Sequence, residues 1–232
     1  NRITEMMMST LGATLQTLAF LGAVVAVLLA GASAVVFVML RRRTWATRAI
    51  MTGGLVASLY ALTLLAFGVA SPAVNIAPGE RKVFCEVDCH VAYEITAGYK
   101  DSDTLVLSVR ELFDENSVSS RRGDAPLHPG SRRFALVDSK GRQWEPVRIR
   151  TADTAPLFAV LRPGESHQAQ LSFSVPQGVQ IRGLLVEDDS PVSPLLIGHE
   201  RSPFHQKALL SLPASIMRAR ATLGLSARAR QE

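Results

Sequence analysis

Two long apolar runs separated by a short basic loop constrain this chain more than any other feature. Leu18–Leu40 extends for 23 residues and Ile50–Ala70 for 21 without an Asp, Glu, Lys, Arg or His. A helix rises about 1.5 Å per residue, so each run is long enough to span the roughly 30 Å hydrocarbon core of a bilayer. The sequence therefore predicts an N-terminal transmembrane α-hairpin within residues 1–74, its helices covering about 12–40 and 49–71. A cleaved signal sequence fits less well. The first run exceeds the 7–15 residues of a signal h-region, and the positive cluster follows the run instead of preceding it.

The loop between the runs fixes the expected orientation. Arg41, Arg42, Arg43 and Arg48 lie in it with no acid, whereas the first ten residues hold one Arg and one Glu. Short Lys/Arg-rich loops stay cytoplasmic. The expectation is a two-pass protein of the bacterial inner membrane with both termini and the downstream domain periplasmic. Small residues recur at helical spacing. Gly22, Ala26, Ala30 and Ala34 form one stripe; Gly54 and Ser58, with Gly53, Ala57 and Ala61, form another. Such stripes let helix backbones approach closely, within the hairpin or against another subunit. Intramembrane ionisable groups mark ion and proton paths, and both runs lack them, which argues against a pump or channel.

Residues 75–212 read as all-β. Lys82–Ile95 alternates as one strand, and Thr104–Phe113 as a second. Arg133–Val137 and Gln143–Val147 flank a turn at Asp138–Arg142. Leu157–Leu161, Gln168–Val175 and Gly183–Glu187 complete the series, and Asp114–Ser131 reads as a loop. Short strands at this spacing suggest an antiparallel sandwich. Residues 213–232 form a basic C-terminal tail or short helix. The net charge of +5 is misleading as a whole. Ala73–Leu212 carries 16 basic and 18 acidic residues, so the body is near neutral and nucleic acid is not an expected partner.

The sharpest local motif is Cys85-Glu86-Val87-Asp88-Cys89-His90. In a continuous strand residues i and i+4 lie about 13 Å apart, whereas a disulfide needs Cα atoms within about 7 Å. Three readings stay open: a disulfide-closed loop between Cys85 and Cys89, two buried thiols, or a copper or zinc site. The metal site would use Cys85 and Cys89 with His90 or a distant His199 or His205. Two helices followed by a β domain resemble the layout of cytochrome oxidase subunit II. Its copper motif, Cys-x3-Cys-x3-His-x2-Met, would need His and Met where this chain has Tyr93 and Thr96, so that centre is not expected. The stretch Pro194–Lys207 crowds polar groups behind a hydrophobic entry and reads as a partner loop or as a sandwich end whose His and Glu cap the backbone. No nucleophile elbow, phosphate loop or zinc-protease motif appears. The chain is not expected to be an enzyme.

Phe84–His90, Leu112–Asn116, Leu161–Glu165 and Leu196–Glu200 resemble segments of immunoglobulin-like domains of unknown function in exported bacterial proteins. The resemblance covers Gly79–Leu212 and implies an immunoglobulin-like sandwich outside the cytoplasm, with no catalytic residue. The function expected is a non-catalytic accessory or scaffold subunit of an inner-membrane complex, partnered by other membrane subunits and the lipid bilayer. Electron-transfer and photosynthetic reaction-centre complexes are named by analogy. The alternative is a periplasmic copper/zinc-handling or thiol redox module.

Overall fold

The computed structural model describes residues 2–84, 91–114, 123–151, 155–213 and 216, with the backbone alone described for 2–14. It divides into two units: residues 1–72 with 191–206, and residues 73–190 with 207–232. The segment 191–206, expected to belong to the sandwich, groups with the helices.

In the helical unit, α1 (Arg2–Met39) and α2 (Arg43–Ala70) form an antiparallel hairpin. α1 thus begins about ten residues before the expected start. Both helices contain stretches long and apolar enough to cross a membrane. α1 ends because Arg41 takes a left-handed conformation (φ 57°). The Arg41 N–H then bonds the Val38 carbonyl at 2.9 Å and the Arg42 N–H bonds that of Phe37 at 2.8 Å. This is a Schellman closure, with Arg standing where Gly is usual. It lets the chain reverse within Leu40–Arg42.

Among the described residues the β unit holds two five-stranded sheets. One has the order β1 (Asn75–Ile76), β10 (Leu209–Leu210), β9 (Ile181–Asp188), β5 (Arg132–Asp138), β6 (Gln143–Trp144). The other runs β2 (Lys82–Phe84), β3 (Val91–Asp101), β4 (Thr104–Phe113), β8 (Ser166–Ser174), β7 (Arg148–Thr151). β1 and β10 pair in parallel; the remaining pairs are antiparallel. From β4 onward the chain alternates. It crosses between sheets at β4–β5, β6–β7 and β8–β9, and turns within a sheet at β5–β6, β7–β8 and β9–β10. Alternate residues of each sheet face one shared core. Leu107, Val109, Leu171 and Phe173 come from one sheet, and Phe134, Leu136 and Leu184 from the other. Each such buried side chain contributes about 1.5–3 kcal/mol relative to exposure. The two-layer sandwich expected from the strand spacing is present.

Two readings of the strands need correction. The predicted single strand over 82–95 is two strands, β2 and β3, paired antiparallel with Phe84 opposite Val91. Facing partners are of opposite parity, so the phase shifts by one across the pair: Lys82 and Phe84, and not Val83, share the face of Tyr93 and Val91, and Val83 is 44% exposed. Leu157–Leu161 is not a strand. It is a turn that ends in an isolated bridge between Leu161 and Leu127. The very short β1 and β10 and the exposed β7 give no periodic signal. Of the expected loop Asp114–Ser131, residues 115–122 lie outside the described residues, and the described remainder holds no strand beyond the isolated bridge at Leu127; the basic tail lies largely outside them. Within that tail Ile216, 5% exposed, packs in the sandwich core.

The β5–β6 turn carries a pH prediction. The carboxylate of Asp138 accepts the N–H groups of Lys140 and Arg142, each at 2.9 Å, and Arg142 Nε at 2.7 Å. Gly141 supplies the positive φ of 78° that the turn requires. Burial alone would raise the pKa of Asp138; the donors of Arg142 and Lys140 outweigh it and hold the carboxyl below its ordinary range. Glu94 behaves likewise, its burial outweighed by Arg110 and Arg81. A depressed folded pKa adds stability that is complete above the unfolded value of about 4 and fades as pH falls through the folded value. Thermal unfolding midpoints are therefore expected to fall on acidification below about pH 4, and less steeply in Asp138→Asn and Glu94→Gln. Equal slopes in all three proteins would refute this.

Candidate functional site

The hairpin seam is built on small residues. Ala34, Ala46, Gly53, Leu64 and Gly68 are its buried members. A Cβ added to Gly53 would lie 2.9 Å from that of Ala30, closer than real side chains approach. Gly53 and Ala30 therefore set the tightest approach, as small-residue seams do. The expected stripes divide between the seam and the outer surface of the hairpin. Ala26, Ala30 and Ala34 turn toward α2, whereas Gly22, Gly54 and Ser58 are exposed, and a Cβ at either glycine would meet open space. At 3.6 residues per turn a strict four-residue step rotates off the seam, and the contact follows 46, 49, 53, 56 and 60 on α2. Outside the seam, large apolar side chains such as Leu28, Leu55, Leu62 and Phe67 are more than half exposed.

The basic turn has an interfacial character. The Arg48 guanidinium lies 5.2 Å from the centre of the Trp45 ring, and Trp45 sits 6.0 Å from Phe37. Arg41, Arg42, Arg43 and Arg48 are exposed at this end.

The opposite end of the hairpin carries the segment 191–206. The Tyr60 hydroxyl donates to the Leu195 carbonyl at 2.7 Å, and the Gln206 N–H donates to Ser71 Oγ at 2.7 Å. Gly198 lies over Gln16 and Phe67. Gly68 faces Pro203 so closely that any Cβ there would overlap the Pro203 carbonyl oxygen. Ile197 closes an open, apolar groove of about 310 Å³ bordered by Gly22, Ala23, Val56, Tyr60 and Thr63. The segment is a chain of short turns. N–H groups of Leu195, Leu196, His199, Ser202 and His205 bond carbonyls three residues back. His199 and His205 are spent locally. His199 Nδ1 accepts the Arg201 N–H at 3.1 Å, and His205 Nδ1 lies 2.7 Å from the Gln206 carbonyl. These are local backbone contacts, made in the helical unit and not at the sandwich end expected for this stretch. The other members of the expected metal set, Cys85, Cys89 and His90, lie outside the described residues. Among the described residues no group of three or more His, Cys, Asp or Glu is placed to hold a metal ion.

The β unit has a polar patch within its core. Glu111, fully buried, accepts the Tyr93 hydroxyl through Oε1 and the Phe158 N–H, at 2.8 Å, through Oε2. Register places Tyr93, Glu111 and His167 in one row across β3, β4 and β8. Lys82, 5% exposed, donates to the Val186 and Ala208 carbonyls at 2.8 and 3.1 Å. Arg132 pairs with Asp188 at 2.7 Å and stacks 4.7 Å from the Phe84 ring. Glu187 pairs with Lys207 and Arg133. Both Glu111 oxygens are engaged by structural donors, so it is not poised as a free base, and the patch reads as a structural polar network. Sequence reasoning misses Tyr60, Gly68 and Glu111. Glu111 has a signal, since it falls in phase with Leu105, Leu107, Val109 and Phe113 on the core face of β4.

No family model and no curated protein matches the chain. Among solved structures it is similar to MPT63, a secreted protein from Mycobacterium tuberculosis, at 8% identity and a TM-score of 0.38. That match covers 62% of this chain and 100% of the other. A likeness at that level carries no weight for fold or function, which rest on the geometry above.

Proposed function

We propose that the chain is a non-catalytic, membrane-anchored subunit of a larger bacterial inner-membrane assembly. In this reading the hairpin crosses the bilayer twice, with the Arg41–Arg48 turn cytoplasmic and both ends and the sandwich periplasmic. The β unit is read as immunoglobulin-like. The alternation of within-sheet turns and between-sheet crossings from β4 to β10 supports this, as does the parallel β1–β10 edge.

One observation carries the reading: the hairpin spends only a narrow seam on itself. Its remaining surface is apolar, exposed and free of charge over both runs. A bilayer satisfies such a surface, and small residues directed away from the seam, Gly54, Ala57, Ser58 and Ala61, leave room for a neighbouring helix to approach. The electron-transfer and photosynthetic assemblies named by analogy gain no support from the fold or from similar proteins and are not part of the proposal. Solubilisation in mild detergent followed by mass spectrometry of co-purifying chains tests it. A stoichiometric set of membrane partners is expected. A monodisperse monomer with no companion would overturn the subunit reading.

A further inference from the structure

We propose that the segment 191–206 is an interfacial insertion, with Pro194–Ile197 lying at the headgroup–acyl boundary of the outer leaflet. The inference rests on the hairpin crossing the bilayer. Its first support is depth. From Arg43 to Tyr60 α2 rises about 26 Å, and from Trp45 it reaches about 30 Å near Leu65. Leu195, bonded to the Tyr60 hydroxyl, therefore sits about one to two helical turns inside the outer edge of the hydrocarbon.

The second support is polarity along the segment. Its contacts climb the hairpin in order: Leu195 at Tyr60, Gly198 at Phe67, Pro203 at Gly68, Gln206 at Ser71. From Tyr60 to Ser71 the helix rises about 16 Å. The deepest residues are Pro194-Leu195-Leu196-Ile197; His199-Glu200-Arg201 and His205-Gln206 follow nearer the helix end. Apolar residues are thus deep and polar ones shallow, the order a water-to-lipid gradient selects.

The third support is backbone satisfaction. Irregular backbone is costly near hydrocarbon unless its polar groups find partners. Here the N–H groups of Leu195, Leu196, His199, Ser202 and His205 are bonded within the segment, and Tyr60 serves the Leu195 carbonyl. Tyrosine at this level has the amphipathic character of an interfacial anchor. Finally, Val192, Leu195 and Phe204 are 41%, 47% and 70% exposed. Phe204 is held outward in a left-handed conformation (φ 65°) that a bulky residue adopts only under constraint. Acyl chains would cover Leu195 and the groove beside Ile197, and Phe204, nearer the helix end, would meet the headgroups.

Tryptophan quenching by lipids brominated along their acyl chains tests the inference. The full chain, with Trp45 and Trp144 replaced by Phe, would carry a single new Trp and be reconstituted in phosphatidylcholine vesicles. Leu195→Trp is expected to lose about half or more of its emission, as is Leu28→Trp in the middle of α1, while Val147→Trp in the β unit keeps nearly all of it. An unquenched Leu195→Trp beside a quenched Leu28→Trp would overturn the insertion and leave the hairpin reading standing. If neither were quenched, the membrane reading itself would fail.

Discussion

Replacing Gly68 with alanine is expected to release the 191–206 segment from the hairpin while leaving both helices and the sandwich core in place. The added Cβ would overlap the Pro203 carbonyl oxygen and lie 3.2 Å from the Pro203 carbonyl carbon and 3.5 Å from the His205 nitrogen. These are backbone atoms, so no flexible side-chain end can yield. On the other side, α2 is held by its hydrogen-bond ladder and by the Ser71 cap on the Gly68 carbonyl, 2.7 Å from Ser71 Oγ. The segment is the part that must move, and the Tyr60–Leu195 and Ser71–Gln206 bonds go with it. At roughly 1 kcal/mol each, their loss would raise the open population about 10- to 30-fold. Helix propensity argues the opposite sign, since Gly→Ala inside a helix stabilises by about 0.8–1 kcal/mol. The two effects are therefore separable. Tryptic cleavage at Arg201 in the reconstituted protein should accelerate by about tenfold or more in Gly68→Ala and stay unchanged in Gly54→Ala, whose Cβ meets open space. A wild-type rate in Gly68→Ala would show that the segment does not rest on α2 as described.

What can be read from the sequence divides along physical lines. The hairpin is legible because the evidence for it, the absence of charge over more than twenty consecutive residues, is local and additive. β4 is legible to the residue because it is a short apolar-rich run with turn signals at both ends. The helix face is less so. Gly22, Gly54 and Ser58 satisfy a small-residue spacing, yet the face that meets the partner helix is chosen by the pair and is not written in either stripe alone. The docking of 191–206 is beyond reach for a stronger reason. Its anchoring bond joins Tyr60 to a backbone carbonyl 135 positions away, and a carbonyl has no residue-type signature. The same applies to the Phe158 N–H that meets Glu111. Phe158 shows only as an aromatic residue in a short apolar run, and its left-handed backbone (φ 68°) has no counterpart in composition.

Removal of the Glu111 carboxyl is expected to be the most damaging single change in the β unit. Glu111→Ala strips the acceptor from the Tyr93 hydroxyl and from the Phe158 N–H and leaves a cavity on the core face of β4. Loss of these two hydrogen bonds to a buried carboxylate, at about 1.5–3 kcal/mol each, with the cavity added, gives a loss of about 3–6 kcal/mol. That is a large part of the roughly 5–15 kcal/mol typical of a folded domain. Phe158 adds to the effect. Its left-handed conformation costs on the order of 1–3 kcal/mol and is held by the bond to Glu111 and by stacking on Phe134, 6.2 Å between ring centres. Once the bond is gone, the turn at 157–161 has reason to relax and to loosen the Leu161–Leu127 bridge. Glu111→Gln separates hydrogen bonding from burial. The amide keeps an oxygen for the Phe158 N–H and offers its NH2 to the Tyr93 oxygen, so its cost should be about 1 kcal/mol. Thermal unfolding followed by the β-sheet circular dichroism signal should show a midpoint about 10–20 °C lower for Glu111→Ala and only a few degrees lower for Glu111→Gln. Equal losses in the two variants would mean that the charge or shape of the carboxylate matters and the hydrogen bonds do not. A Glu111→Ala protein as stable as the wild type would mean that the buried network contributes nothing to holding β3, β4 and the 157–161 turn together.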